Sequence, residues 1–288
     1  MPTYDLHQHV WPPALVEALE ARTAPPYLRD GVLRLAPGGE FLVDVAAHGL
    51  EARLAELDRD GIDVAVASCP PTLGIELLPE REAEPLVGAY HDGIRELVAG
   101  AGGRLLAFSM GRPLDGFVGT SVSARALLDL DSVADILDEL EERRSVLFVH
   151  PGPADPPRSA PRWWAAVIDY TAEMQAAYAA WLSEGIARWP DLRVVFAILA
   201  GGAPFQLERL RSQGVDVRVA FGRNVFLDTA SYGRRALEVC LATYGGAQLV
   251  YGSDAPVLDP RATLKAVRDF GQAVADALCQ ENPATLLT

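Results

Sequence analysis

Little in this chain supports a disulfide scaffold, a nucleic-acid partner or a membrane anchor. Its 288 residues include three cysteines, Cys69, Cys240 and Cys279. They are far apart, odd in number and form no CxxC pair, which suits a reducing compartment rather than a disulfide framework. Positive charge is also short: 25 Lys and Arg stand against 39 Asp and Glu, a formal net charge of −14. Phosphate binding needs a basic face, so no nucleic-acid partner is expected. No apolar run reaches membrane-spanning length, and the opening MPTYDLHQHV has neither the basic nor the apolar stretch of a secretion leader. The reading is a soluble, cytoplasmic protein with no membrane partner. A GxGxxG after the first strand is missing too, which counts against a doubly wound dinucleotide fold.

What is present is a large apolar fraction and a repeating pattern. Half of the residues are hydrophobic and 22% are charged, enough for an extensive core. Short β-rich runs alternate with longer amphipathic stretches. The candidate strands are 4–9, 62–68, 104–109, 117–122, 145–150, 193–199, 224–229 and 248–252. Their sparse alternation suits a parallel sheet buried on both faces. Eight such units predict an α/β fold, a distorted (β/α)₈ TIM barrel, as a single domain over residues 1–288. The Pro/Gly-rich stretch from about 11 to 49 is too long for a loop and predicts an insertion capping the barrel mouth. The run PGPADPPRSAP at 151–161 predicts a second lid-like loop.

Four residues carry the chemistry. His7 and His9 flank Gln8 on the first strand, and residues i and i+2 of a strand share a face. His150 ends the fifth candidate strand, and Asp254 lies just past the eighth. Barrel active sites are built at these strand ends. Three imidazoles and a carboxylate suit a divalent metal, zinc first, with manganese or iron as alternatives. Such a metal lowers the pKa of bound water and polarises a substrate oxygen. Asp254 is then the candidate catalytic residue, ligating the ion and taking a proton.

These residues lie in motifs that resemble the amidohydrolase superfamily, in the branch that includes aminocarboxymuconate-semialdehyde decarboxylase. The matching segments are DLHQHVWP at 5–12, LFVHPG at 147–152, PDLRVVFAILAGGAPFQLERL at 190–210, NVFLDTASY at 224–232, LVYGSDAP at 249–256 and ENPATLL at 281–287. The resemblance implies that His7, His9, His150 and Asp254 are the metal ligands. It also exposes a departure. The branch usually reads His-x-Gly-Gly at the sixth strand, with that histidine moving a proton beside the metal, whereas this chain has Leu199-Ala200-Gly201-Gly202. Of the remaining histidines, His48 falls in the insertion and His91 in a helix, both read as surface or packing residues.

Three residues are candidates for substrate binding. Arg209 matches an arginine that in some relatives reaches a neighbouring subunit's site, which implies a homodimer; a surface ion pair is the alternative. Trp163 follows the lid-like loop and Trp11 the HxH strand, so either could wall a small-molecule substrate. Cys69 reads as a buried, inert thiol. Asp228 reads as either a partner orienting a ligand histidine or a plain strand-end hydrogen bonder. Because Leu199 cannot move a proton, the leading expectation is hydrolysis of a small carboxylate, ester, lactone or amide through metal-bound water. Non-oxidative decarboxylation of an aromatic or unsaturated acid comes second, and a non-catalytic family member third.

Overall fold

The computed structural model describes residues 1–288. Strand β1 (Tyr4–Gln8) leads into an insertion holding the antiparallel strands β2 (Tyr27–Arg29), β3 (Val32–Leu35) and β4 (Gly39–Leu42). The main sheet continues with β5 (Val64–Ala67), β6 (Leu105–Met110), β7 (Gly119–Ser123), β8 (Val146–His150), β9 (Arg193–Phe196), β10 (Val225–Asp228) and β11 (Leu249–Val250). Its eight strands run in chain order, β1-β5-β6-β7-β8-β9-β10-β11, and every pairing is parallel. The residues after β11 bond back to β1, Leu6 N–H to the Tyr251 carbonyl at 2.9 Å and His9 N–H to the Ala255 carbonyl at 2.8 Å. The sheet is therefore a nearly closed barrel ringed by helices, as the eight-unit pattern predicts.

Sequence explains the barrel wall. β8 (VLFVH) is buried along its whole length, and β10 (VFLD) likewise, because one side meets the barrel interior and the other the helices. Gly119 begins β7 where no side chain fits: a Cβ there would stand 1.9 Å from the Val146 carbonyl oxygen. The largest fully buried side chains include Phe108, Phe148 and Phe196 from the barrel strands and Trp181 and Tyr178 from the surrounding helices.

The insertion has more regular structure than its Pro/Gly content suggests. It holds a helix, Pro13–Glu20, with proline at its first turn, then the three-stranded sheet, then the 3₁₀ turn Val45–His48. Asp44 caps that turn, accepting from Ala46 N–H at 3.1 Å.

At the sixth barrel strand the sequence reading fails locally. The apolar run predicts a strand to Leu199, but β9 stops at Phe196. Ile198, Leu199, Ala200, Gly201 and Gly202 then adopt φ of 47°, 50°, 48°, 66° and 98°. Left-handed backbone is costly for residues with a Cβ, so surrounding bonds must hold it. Ile198 N–H donates to Asp228 at 2.9 Å, and Gln175 Nε2 donates to the Gly201 carbonyl at 2.6 Å.

Candidate metal centre and its cavity

The pleat of β1 aims His7 and His9 into the same end of the barrel, where His150 arrives from the end of β8. Asp254 reaches them through a left-handed backbone, φ 63°. Its N–H donates to the His7 carbonyl at 2.8 Å, and the preceding Ser253 N–H donates to Asp5 at 3.0 Å. One ligand atom from each of His7, His9, His150 and Asp254 lies within 4.8 Å of every other. The structure thus brings together all four residues read from the sequence.

Each imidazole is oriented by an acceptor behind it. His7 Nδ1 lies 2.8 Å from Asp228 Oδ2, His9 Nδ1 3.0 Å from the Ser68 carbonyl, and His150 Nδ1 2.9 Å from the Pro151 carbonyl. A carboxylate or carbonyl can only accept, so each Nδ1 carries the hydrogen and each neutral ring keeps its lone pair on Nε2. Those lone pairs face inward. His7 Nε2 and His9 Nε2 are 3.3 Å apart, and Asp254 Oδ1 is 3.0 Å from His9 Nε2 and 3.6 Å from His7 Nε2. Two nitrogens about 2.0–2.1 Å from one tetrahedral ion stand about 3.3 Å from each other. The donor set therefore fits a divalent cation, and Asp228 supplies the outer partner that ligand histidines use.

Electrostatics agree. Burial disfavours charge on His7, but Asp228, Asp254 and Asp5 outweigh it and raise its pKa to about 9. The site thus seeks a positive charge at this position, from a proton or from a metal. Burial, helped by the neighbouring His7 and His9, holds His150 well below the usual histidine range. Burial pushes the Asp254 carboxyl up, yet its bond to His9 and the charges of His7, His9 and His150 bring it below its ordinary value. Asp5, underneath, is driven by burial to about 6 despite bonds from Ser253, Gln8 and His7.

The centre opens into a cavity of about 940 Å³. Its walls are mainly apolar, with Trp11, Leu33, Leu35, Leu73 and Ile198 among them. Of the three substrate-binding candidates, only Trp11 lines it. Trp163 is 54% exposed and stacks on Trp164 outside the walls, although its neighbours Arg162 and Ala165 do line them. Arg209 is exposed on the helix Pro204–Ser212, away from the cavity. Leu199 is buried behind the wall, and its neighbours Ile198 and Gly201 form the surface instead. The strand alternation that would aim Leu199 inward is lost in the left-handed turn.

Two lining residues escaped the sequence reading. Tyr170 starts the helix Tyr170–Ala180, next to Thr171, whose carbonyl presses on Gly201. Burial and then the nearby Asp254 push its hydroxyl up to about 12, so it remains a donor. His48 is no surface residue: it is buried, stacks on Trp11 with ring centroids 4.2 Å apart, and lines the cavity. His91 does pack, its Nε2 accepting from Met110 N–H at 2.9 Å. Burial also pushes the Cys69 thiol up, consistent with an inert group.

Residues 4–288 match the family described as Amidohydrolase. The chain belongs to the amidohydrolase family. Its relatives include 2-amino-3-carboxymuconate-6-semialdehyde decarboxylase of Dictyostelium discoideum, 22% identical over 86% of this chain and 80% of that one. Among solved structures, this amidohydrolase-family barrel is similar to IDCase from Metarhizium anisopliae in apo form, with TM-score 0.84, 21% identity and coverage of 99% of this chain and 97% of that one. It is also similar to 5-carboxyvanillate decarboxylase from Novosphingobium aromaticivorans, solved with manganese and 3-methoxy-4-hydroxy-5-nitrobenzoic acid. There the TM-score is 0.77, with 17% identity and coverage of 99% and 97%. These decarboxylases overturn hydrolysis as the leading expectation for this amidohydrolase-family chain. That expectation rested on Leu199 being unable to move a proton, and the relatives are decarboxylases all the same. No helix of the chain is long and apolar enough to cross a membrane.

Proposed function

We propose that the chain is a metal-dependent decarboxylase of a small aromatic or unsaturated ring carboxylic acid. The observation that carries this reading is the four-residue centre at the floor of a largely apolar cavity. Decarboxylase relatives support it, and the manganese in one of them makes Mn²⁺ a candidate beside Zn²⁺. His7, His9, His150 and Asp254 would hold the cation, which supplies positive charge to grip the substrate carboxylate or an adjacent oxygen.

The protein's own groups do the rest. Asp228, Ser68 and Pro151 fix the three imidazoles by bonds of 2.8–3.0 Å, so the ligands are organised before substrate arrives. Trp11, Leu33 and Leu35 bring apolar surface from the floor and the insertion against the substrate ring and displace water. When the bond between ring carbon and carboxyl carbon breaks, carbon dioxide leaves and the electron pair stays on the ring carbon. One proton must then be delivered there. We assign that delivery to Asp254, whose carboxylate is 16% exposed beside His9. Burial raises its pKa, but the bond to His9 and the charges of His7, His9 and His150 bring it below the ordinary value, so it rests ionised; it would take a proton from solvent in the cavity and pass it to the ring carbon. Carbon dioxide release from aryl carboxylates by Mn²⁺-loaded protein, lost on chelation, tests the proposal.

A further inference from the structure

The cavity wall offers several polar side chains, and they differ in what they can recognise. Thr72, Tyr170, Ser231 and Tyr232 carry hydroxyls that either donate or accept, and Arg162 can only donate. Asp44 is tied to the backbone of its own turn. His48 is different because its ring is fixed on two sides. Its Nδ1 donates to the His9 carbonyl at 2.9 Å, and its face stacks on Trp11 at an interplanar angle of 27°. A carbonyl can only accept, so Nδ1 carries the hydrogen and Nε2 of the neutral ring holds a lone pair with no hydrogen-bond partner in the protein, on a residue that lines the cavity.

We propose that His48 is a specificity-determining residue whose Nε2 accepts a hydrogen bond from a hydroxyl or N–H on the substrate ring. This rests on the decarboxylase reading and narrows it. The acid held at the metal centre carries a ring donor, and the insertion, through His48, reads that donor. An acceptor held in a fixed orientation on a largely apolar wall selects well, because an analogue without the donor leaves the acceptor desolvated and unpaired. The stacked Trp11–His48 pair also fixes the direction from which the donor must come.

The test measures binding. Mn²⁺-loaded protein is titrated calorimetrically with benzoate, the three hydroxybenzoates and their methyl ethers, which keep the ring and carboxylate but lack the donor. At least one hydroxybenzoate is expected to bind about tenfold tighter than its ether, as one hydrogen bond of about 1 kcal/mol or a little more allows. His48→Asn keeps the bond to the His9 carbonyl, and His48→Phe keeps the stack. Each removes Nε2, and each is expected to bring the ratio of hydroxyl to ether close to one. On Zn²⁺-loaded native protein, the ¹⁵N resonance of His48 Nε2 should shift with the favoured hydroxybenzoate and not with its ether. That measurement decides the matter if either variant fails to fold. A ratio near one in the native protein, or a ratio undiminished in folded variants, overturns the role of His48 alone. Failure of every benzoate to bind overturns the decarboxylase reading, and this proposal with it.

Discussion

Replacing Asp228 by Asn changes a single group behind the metal centre, and the structure dictates the consequence. Oδ1 of Asp228 accepts from two backbone donors, Ile198 N–H and Ala230 N–H, each at 2.9 Å, while Oδ2 faces His7 Nδ1 at 2.8 Å. An asparagine must keep its oxygen on the two N–H groups, because its amide nitrogen would meet them donor to donor. The amide nitrogen then points at His7 Nδ1. That ring nitrogen becomes the acceptor, and the hydrogen moves to Nε2, where it aims at the metal position. Metal binding must then displace a hydrogen held by the wrong tautomer. Loss of such an outer partner typically weakens metal binding by about 10–100-fold. The fold suffers less, about 1 kcal/mol, the difference between a hydrogen bond to a charged group and one to a neutral group. Competition against a chromophoric chelator reads the first effect and urea unfolding the second. A folded Asp228→Asn protein with native metal affinity would refute the assignment of tautomers and of the His7 lone pair as a ligand.

Two further predictions concern stability. Gly201→Ala places a Cβ at φ +66° and 2.3 Å from the Thr171 carbonyl oxygen, so backbone must move. It is expected to cost about 2–4 kcal/mol in urea unfolding, and a loss under about 0.5 kcal/mol would contradict the left-handed turn. His48 and His91 have folded pKa values lowered by burial to about 4 from 6.5. The unfolded chain therefore binds protons first as pH falls, and stability present above 6.5 is lost down to about pH 4, on the order of 1–3 kcal/mol for each histidine. Asp5, raised by burial from 3.8 to about 6, works the other way across pH 3.8–6 and reduces the loss. Unfolding free energies measured from pH 4 to 7 should fall towards acid, and a flat profile would count against neutral buried histidines.

How much of this was legible in the sequence depends on which interaction positions each residue. His7 and His9 follow from strand alternation alone, and His150 and Asp254 from their places at strand ends, so the centre could be read before the fold was seen. The barrel was legible because each strand carries its own apolar run. His48 was not: its place on the wall depends on a three-stranded sheet folding a 3₁₀ turn back over Trp11, and nothing local encodes that. Leu199 was misplaced for a related reason. Its run of apolar residues continues a strand pattern, while bonds from Asp228 and Gln175, distant in sequence, hold the left-handed turn. Trp163 and Arg209 sit in the right neighbourhood of the chain, yet Trp163 stands exposed in the turn before its helix and Arg209 on the outer side of its own, both away from the cavity.

The central claim is that the four-residue centre breaks a carbon–carbon bond. The direct measurement is carbon dioxide evolved from a panel of hydroxylated aryl and unsaturated ring carboxylic acids, with protein loaded with Mn²⁺ or Zn²⁺, stripped by chelator, or carrying Asp254→Asn. The account predicts release by the loaded native protein from at least one acid, none after stripping, and a loss of at least about 10²-fold in Asp254→Asn. Release that survives stripping, or an Asp254→Asn protein as active as the native one, would contradict it, as would metal-loaded protein that releases nothing from any acid in the panel.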